Sequence, residues 1–166
     1  MTPLYRANWR WREGDGDDHA GGPAVVFDID GVLSDAAGRQ HYLERGRRDW
    51  DALFAACGDD PLIAEVGRLL GLLERELAII LLTGRPLSVQ ATTVAWLNRY
   101  GLRWDLLIMR DVSDYSAATQ FKRRSVGELR DAGFDLRLAF EDDRRNVAMF
   151  HNQGVPCVYL HSGYFE

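Results

Sequence analysis

Cysteine and long apolar runs are both scarce in this chain of 166 residues. Cys57 and Cys157 are its two cysteines, too few for a disulfide framework or a cysteine-based zinc site. This sparing use of cysteine favours a reducing compartment, and we expect a cytoplasmic protein. No apolar run approaches the roughly 20 residues of a membrane span, and residues 1–12 lack the apolar core of a signal peptide. We therefore expect no association with a membrane.

Basic residues are outnumbered by acidic ones, with 20 Lys and Arg against 25 Asp and Glu, so the formal net charge is −5. This balance disfavours a long track for nucleic acid, although it is compatible with a local basic rim. No Gly-x-x-x-x-Gly-Lys-Ser/Thr sequence occurs, which excludes the phosphate-binding loop of P-loop kinases. Hydrophobic residues make up 46% and charged residues 27% of the chain. These are ordinary values for a soluble globular protein, and the length suits one domain.

Apolar runs alternate with amphipathic segments after residue 22. The runs predict five β-strands, at residues 24–29, 77–82, 105–109, 136–140 and 156–160. The intervening segments predict helices near residues 41–56, 62–75, 88–100, 119–132 and 145–153. Ser88 is interpreted as the N-cap of the third helix, and the glycines expected to end the last three helices are Gly101, Gly133 and Gly154. Continuous apolar strands alternating with helices indicate an α/β fold with a mainly parallel, five-stranded sheet covered on both faces.

The first 22 residues are polar and end in a stretch rich in glycine and aspartate. This composition predicts a flexible leader before a single domain at residues 23–166. Trp9 and Trp11 either pack on that domain or form a patch for a partner, and simple packing is the interpretation we favour.

Two carboxylates follow the first predicted strand, in the segment Val25-Val26-Phe27-Asp28-Ile29-Asp30-Gly31-Val32-Leu33-Ser34. Residues two apart on a strand share a face, so Asp28 and Asp30 should emerge together. Open α/β sheets bind ligands at the carboxyl ends of their strands. Carboxylates placed there are costly unless a cation or a reaction uses them. We therefore interpret the pair as a catalytic motif rather than as solvated acids in a capped turn.

A possible anion site follows the second predicted strand, at Thr83-Gly84-Arg85. A hydroxyl, a glycine with accessible backbone N–H groups and an arginine together suit an oxyanion such as phosphate. Taken alone, Thr83 would be read as a helix cap, and Arg85 has a structural salt bridge as its alternative role.

Lys122 lies at the start of the fourth predicted helix, from which its ammonium can reach the same edge of the sheet. Its alternative is the solvated helix face formed by the run Lys122-Arg123-Arg124. The fourth predicted strand ends in Glu141-Asp142-Asp143. Carboxylates at two strand ends suit Mg²⁺, and we expect one of these acids to serve instead as the N-cap of the next helix.

These motifs, in this order, resemble those of the haloacid dehalogenase-like (HAD) phosphohydrolase superfamily over about residues 24–166. The residues that carry the resemblance are Asp28-Ile29-Asp30-Gly31, Thr83, Lys122 and Glu141-Asp142. The resemblance implies a three-layer, Rossmann-like HAD fold and a phosphatase. Neither interval between the motifs accommodates a separate cap domain, so we expect a capless protein with an open site.

The resemblance also implies roles for individual residues. Asp28 would attack phosphorus and form an aspartyl-phosphate, and Asp30 would act as general acid and base. Thr83 and Lys122 would hold the phosphoryl oxygens. Gly84 and Arg85 belong to the same substrate-binding turn.

A Mg²⁺ cofactor is implied by the same resemblance. Its expected protein ligands are Asp28, Asp30 through its backbone carbonyl, and Asp142. Glu141 would join or tune the metal shell, and Asp143 is a weaker candidate.

A narrower resemblance concerns the substrate. Met109-Arg110, Asp114-Tyr115 and Lys122 are similar to a loop of the 3′-phosphatase domain of polynucleotide kinase/3′-phosphatases, although Ser116 and Ala118 stand where that pattern has Arg and Asp. This implies a phosphomonoester on a nucleotide or a nucleic-acid 3′-end. The alternatives are a small-metabolite phosphatase, a phosphoprotein phosphatase and a non-catalytic binding domain on the same scaffold.

A basic, aromatic flap that touches a nucleotide is a further interpretation, of the segment that contains Arg45, Arg47 and Arg48 beside Tyr42 and Trp50. A solvated helix is the alternative for that segment.

Overall fold

The computed structural model describes residues 6–14, 21–44, 46 and 48–165. These residues form a six-stranded sheet with the order β1-β4-β3-β2-β5-β6. The strands are β1 (Trp9–Trp11), β2 (Gly22–Phe27), β3 (Ala78–Pro86), β4 (Leu106–Arg110), β5 (Phe134–Glu141) and β6 (Cys157–Tyr159). All neighbours from β2 to β6 pair in parallel, whereas β1 pairs antiparallel with β4. The prediction of a mainly parallel α/β sheet is confirmed, with one strand more than the five expected.

The helices are α1 (Trp50–Ala55), α2 (Ala64–Leu72), α3 (Gln90–Arg99), α4 (Ala118–Asp131) and α5 (Arg144–Asn152). Short 3₁₀ turns lie at Ala37–Leu43, Ala56–Asp59 and Leu87–Val89. The helix predicted near 41–56 is therefore a 3₁₀ turn and a short α-helix. Ser88 lies inside the 3₁₀ turn before α3 and is not its N-cap, because α3 begins at Gln90. The three predicted stops all have positive φ, +59° at Gly101, +90° at Gly133 and +76° at Gly154, the left-handed conformation that favours glycine after a helix.

The sheet is covered on both faces because every second residue of each strand points to the same side. Val26 of β2 and Ile80 of β3 belong to the core beneath α4 and α5. Val25 and Ile79, their neighbours in sequence, belong to the opposite core beneath α2 and α3. Each fully buried aliphatic side chain contributes about 1.5–3 kcal/mol, so both cores hold the central strands in register.

The sixth strand comes from the segment that composition assigned to a flexible leader. Trp9 and Trp11 are 4% and 5% exposed, on the face that also carries Phe134, and the rings of Trp11 and Phe134 are stacked. The two tryptophans therefore pack on the domain, as we expected. Burial of these two large apolar side chains, two residues apart, stabilises a strand despite the polar residues around them. The strand pairs with β4 and covers its otherwise open edge.

The chain changes direction across the sheet between β2 and β5. From β2 it proceeds through β3 to β4 on one side, and then crosses to β5 and β6 on the other. Such a switch point opens a crevice at the carboxyl ends of the two strands. Asp28 follows β2 and Glu141 ends β5, so the motif residues meet in this crevice.

The interval between β2 and β3 contains α1, α2 and 3₁₀ turns. Because α2 places Val66 and Leu70 in the sheet's own core, this interval forms no separate cap in the part of it that is described. None of the helices among the described residues is long and apolar enough to cross a bilayer.

Trp11→Ala should lower the free energy of unfolding by about 3–5 kcal/mol, because it removes a large buried ring from a packed site. Urea titration followed by circular dichroism measures this. Arg10→Ala on the same strand, at an exposed position, is the matched control and should change the value by less than about 0.5 kcal/mol. Equal small effects from both changes would show that β1 does not stabilise the domain.

Candidate active site

Three carboxylates meet at the switch point of the sheet. Asp28, Glu141 and Asp142 each offer an oxygen, and these oxygens all lie within 4.8 Å of one another. All three residues are buried. Because like charges at this separation repel strongly in a buried site, the group needs a cation.

Lys122 supplies part of that positive charge. Its Nζ donates to Asp28 Oδ1 at 3.0 Å and to Glu141 Oε2 at 2.7 Å. The side chain is only 3% exposed, and it projects from the first turns of α4. Of the run of three basic residues, Lys122 is the one that is buried, while Arg123 and Arg124 are exposed.

The charges in this group shift one another's pKa in opposite directions. Burial raises the pKa of Asp28 well above its ordinary value, Glu141 raises it further, and Lys122 only partly opposes them. Burial also favours the neutral form of Glu141, but Lys122 outweighs it and the pKa of Glu141 is lowered. Burial raises the pKa of Asp142 to about 7. The described residues thus leave Asp28 and Asp142 short of positive charge.

Gly31 allows Asp142 to approach this site. A Cβ at residue 31 would lie 2.1 Å from Asp142 Oδ2, and Gly31 has a φ of +82°. Space and backbone conformation therefore both require glycine here. Asp142 Oδ2 is buried without a hydrogen-bond partner of its own among the described residues, although Ser162 and Asp28 interact with this carboxylate and oppose the rise in its pKa. An orphaned carboxylate oxygen beside two other carboxylates fits a hard cation such as Mg²⁺.

Asp30 is held by a different set of charges. Its Oδ1 accepts from Arg39 Nη2 at 2.6 Å and from Arg85 Nη2 at 2.6 Å. Burial alone would raise the pKa of Asp30, but the two guanidinium groups outweigh it and the pKa is lowered. The Asp30 carboxylate lies outside the three-carboxylate group, so a metal contact through its backbone carbonyl stays a prediction.

Arg85 is fully buried, at 0% exposure. Besides Asp30, its Nη1 donates to Thr93 Oγ1 at 3.2 Å, which anchors it to α3. Its guanidinium therefore forms the structural salt bridge that the sequence left as an alternative to substrate contact.

Asp60 completes the arginine network and was not expected from the sequence. It accepts from Arg39 Nε at 2.9 Å and from Ser34 Oγ at 2.5 Å, and its own carbonyl accepts from Trp96 Nε1 at 2.8 Å. Arg39 was also missed, since it lies in a polar stretch with no periodic pattern. The contacts that give both residues a role join distant parts of the chain, and one sequence carries no signal for them.

Thr83 and Gly84 line the same cavity as the two aspartates, which has a volume of about 250 Å³. Thr83, Gly84 and Arg85 lie within β3 and not after it, where the pairing of β3 with β4 shifts register between Leu82 and Pro86. Thr83 Oγ1 accepts from the backbone N–H of Arg85 at 3.1 Å, so its hydroxyl supports this irregular stretch and does not cap a helix. Asp143 is the N-cap of α5, because its Oδ1 accepts from the Arg145 N–H at 3.0 Å. The prediction that one acid of the triplet serves as a cap is confirmed.

The interpretation of a basic flap cannot be followed in full, because Arg45 and Arg47 lie outside the described residues. Arg48 is exposed, and Trp50 and Leu43 line the cavity.

The sequence model of one protein family, the phosphatase domain of polynucleotide kinase PNKP, matches residues 22–165 of this chain. The chain belongs to this family. It is therefore a phosphatase domain of the HAD superfamily, as the motif order predicted.

Two solved structures share 24–27% of the sequence. One is of a Pnkp1/Rnl/Hen1 complex, with a TM-score of 0.70, 27% identity, and coverage of 87% of this chain and 47% of that one. The other is of the Pnkp1/Rnl/Hen1 RNA repair complex, with a TM-score of 0.70, 24% identity, and coverage of 95% and 47%. This chain thus spans about half the length of those chains. A class C acid phosphatase from Bacillus anthracis with tungstate bound has a TM-score of 0.62, 15% identity, and coverage of 87% and 68%, a likeness of fold alone.

Lys122→Met should lower the free energy of unfolding by about 3–5 kcal/mol without added metal, because it leaves two buried carboxylates without their partner. Urea titration in a chelating buffer measures this. Arg123→Met, one residue along α4 and exposed, is the matched control with an expected change under about 0.5 kcal/mol. Similar values for the two variants would argue against the buried ammonium as the support of the carboxylates.

Gly31→Ala should abolish the stabilisation that Mg²⁺ gives the protein, because its methyl group occupies the position next to Asp142 Oδ2. We expect wild type to gain melting temperature with increasing MgCl₂ and the variant to gain none. Gly38→Ala is the control, since nothing lies within 4 Å of a Cβ there. A Mg²⁺ response in Gly31→Ala equal to wild type would contradict the assignment of Asp142 to a metal site.

Proposed function

We propose that this domain hydrolyses phosphate monoesters at nucleic-acid 3′-ends, with Mg²⁺ as cofactor and a covalent phosphate on Asp28. The observation that carries the proposal is the grouping of Asp28, Glu141 and Asp142 around a shared position, with Lys122 bonded to two of them. A nucleophile, a cation site and an ammonium are thereby concentrated at one end of the sheet.

Asp28, Glu141 and Asp142 would hold the metal, and the orphaned Asp142 Oδ2 supports this. When bound, Mg²⁺ supplies charge neutralisation between an anionic nucleophile and an anionic phosphate. Only oxygen ligands are offered, which is the preference of Mg²⁺ rather than of Zn²⁺.

Asp28 is the proposed nucleophile. Lys122 bonds one of its oxygens, Oδ1, which fixes the orientation of the carboxylate. Attack by the carboxylate on phosphorus forms an aspartyl-phosphate and breaks the bond to the leaving oxygen. Thr83 and the ammonium of Lys122 would stabilise the phosphoryl oxygens, which carry the charge of the transition state.

Asp30 is the proposed general acid and base. Arg39 and Arg85 lower its pKa, so the carboxylate is ionised in the free protein and suits the removal of a proton from water during breakdown of the aspartyl-phosphate. The acid role requires a proton on the same carboxylate. A dianionic substrate that enters the cavity favours this, because nearby negative charge raises the pKa of a carboxyl group.

A nucleic-acid end is the proposed substrate because of the family to which the chain belongs. The solved structures that resemble it include an RNA repair complex. Arg110 lines the cavity, and its buried Nε has no hydrogen-bond partner among the described residues. A guanidinium donor of this kind beside a phosphoryl site is available to an anionic substrate.

An oligonucleotide with a 3′-phosphate should lose inorganic phosphate in the presence of Mg²⁺, and Asp28→Asn should lower kcat by at least about 10³-fold because the amide is a poor nucleophile. Release of phosphate measured with and without chelator tests this. Asp59→Asn, at an exposed acid, is the control and should retain full activity.

The same assay on nucleoside monophosphates, sugar phosphates and phosphopeptides tests the substrate class. Equal or higher kcat/KM on sugar phosphates or phosphopeptides would overturn the nucleic-acid assignment while leaving the phosphatase. Mg²⁺-independent turnover, or full activity in Asp28→Asn, would overturn the reaction itself.

A further inference from the structure

Two aromatic side chains line the cavity that also contains Asp28 and Asp30. Trp50 and Phe54 both line it and belong to α1, where they lie one turn apart. Their ring centroids are 6.1 Å apart with an interplanar angle of 25°. Trp50 is 47% exposed. We call this pair the aromatic ledge.

The aromatic ledge is linked to Asp30 through Arg39, and neither of its two residues belongs to the sheet's two cores. Arg39 Nη1 donates to the carbonyl of Leu53 at 3.1 Å, while Nη2 of the same side chain donates to Asp30. Asp49 caps the helix by accepting from the Ala52 N–H at 3.0 Å. A helix of six residues has little stability by itself, so these bonds determine where the rings stand relative to Asp30.

The cavity is lined by two kinds of side chain. Asp28, Lys122 and Thr83 suit a phosphate, whereas Trp50, Leu53 and Phe54 of α1 are apolar. The rings of α1 offer flat apolar surface, which gains nothing from inorganic phosphate and favours a planar base over a sugar ring. A molecule that uses both parts of the lining carries a phosphate and a planar group that can stack on aromatic rings. A 3′-terminal nucleotide is such a molecule, because a sugar alone separates its base from its 3′-phosphate.

We propose that the aromatic ledge stacks on the base of the terminal nucleotide whose 3′-phosphate lies at Asp28, an inference that rests on the proposed function. Stacking on Trp50 accepts every base, since each has a π-face. The ledge therefore selects nucleotide ends over other phosphate monoesters without selecting their sequence. Trp50 contacts the base, and Phe54 supports the tryptophan ring from behind.

Two substrates isolate the contribution of the base. Both are the same oligonucleotide with a 3′-phosphate, and the terminal residue carries either adenine or, as a tetrahydrofuran analogue, no base. Wild type should show kcat/KM about tenfold higher on the adenine-ended substrate. Trp50→Ala should remove that preference by lowering kcat/KM for adenine alone, with turnover of the abasic substrate within about twofold of wild type. Trp50→Phe, which keeps a ring, should restore most of the preference.

Leu72→Ala is the control, because Leu72 is an apolar side chain on α2 that is 74% exposed and lies outside the cavity lining. It should leave the ratio unchanged. If Trp50→Ala lowers kcat/KM equally for both substrates, or for neither, the proposed stacking on the base is wrong, whereas the phosphatase assignment is unaffected. A greater loss on a phosphotyrosine peptide than on the adenine-ended substrate would reassign the ledge to a protein substrate. If wild type turns over neither oligonucleotide, the proposed substrate fails together with the ledge.

Discussion

The buried ammonium of Lys122 is the interaction on which the site depends. It joins Asp28, at the end of β2, to Glu141, at the end of β5, and it does so from α4. Three elements that are distant in sequence are thereby held at one point of the sheet. Without this cation, burial and mutual repulsion would favour the neutral forms of these carboxylates still further. The positive charge still lacking in the described group is what a divalent cation would provide.

A second group of charges lies beside the first and controls the other aspartate. Arg39 and Arg85 both bond Asp30, and Asp60 bonds Arg39 and lies 3.4 Å from Arg85. In this network two carboxylates, one of them partly exposed, balance two buried guanidinium groups. Its effect is to separate the pKa values of Asp28 and Asp30, which are two residues apart in sequence. Burial raises the pKa of the former, whereas arginines lower the pKa of the latter.

Much of the fold could be predicted because its signals are local. Apolar runs located the five parallel strands to within a few residues, and glycines after helices located their ends. The errors arose where local composition and tertiary packing disagreed. Polar residues around Trp9 and Trp11 predicted a leader, yet two buried rings were enough to add β1 to the sheet. The helix expected near 41–56 is replaced by a 3₁₀ turn and α1, which buries only Leu53 and is bonded at the Leu53 carbonyl by the distant Arg39.

The sequence was sufficient to predict the residues of the candidate site, since Asp28, Asp30, Thr83, Lys122 and Glu141-Asp142 each follow an apolar run or begin a predicted helix. Only the tertiary structure decided how these residues are supported. Arg39 and Asp60 have no pattern in the chain, and Arg85 had two alternative roles until its guanidinium was found buried against Asp30. The physical reason is that a motif is a local arrangement of residues. The pKa of a buried acid, in contrast, depends on every charge that folding brings near it.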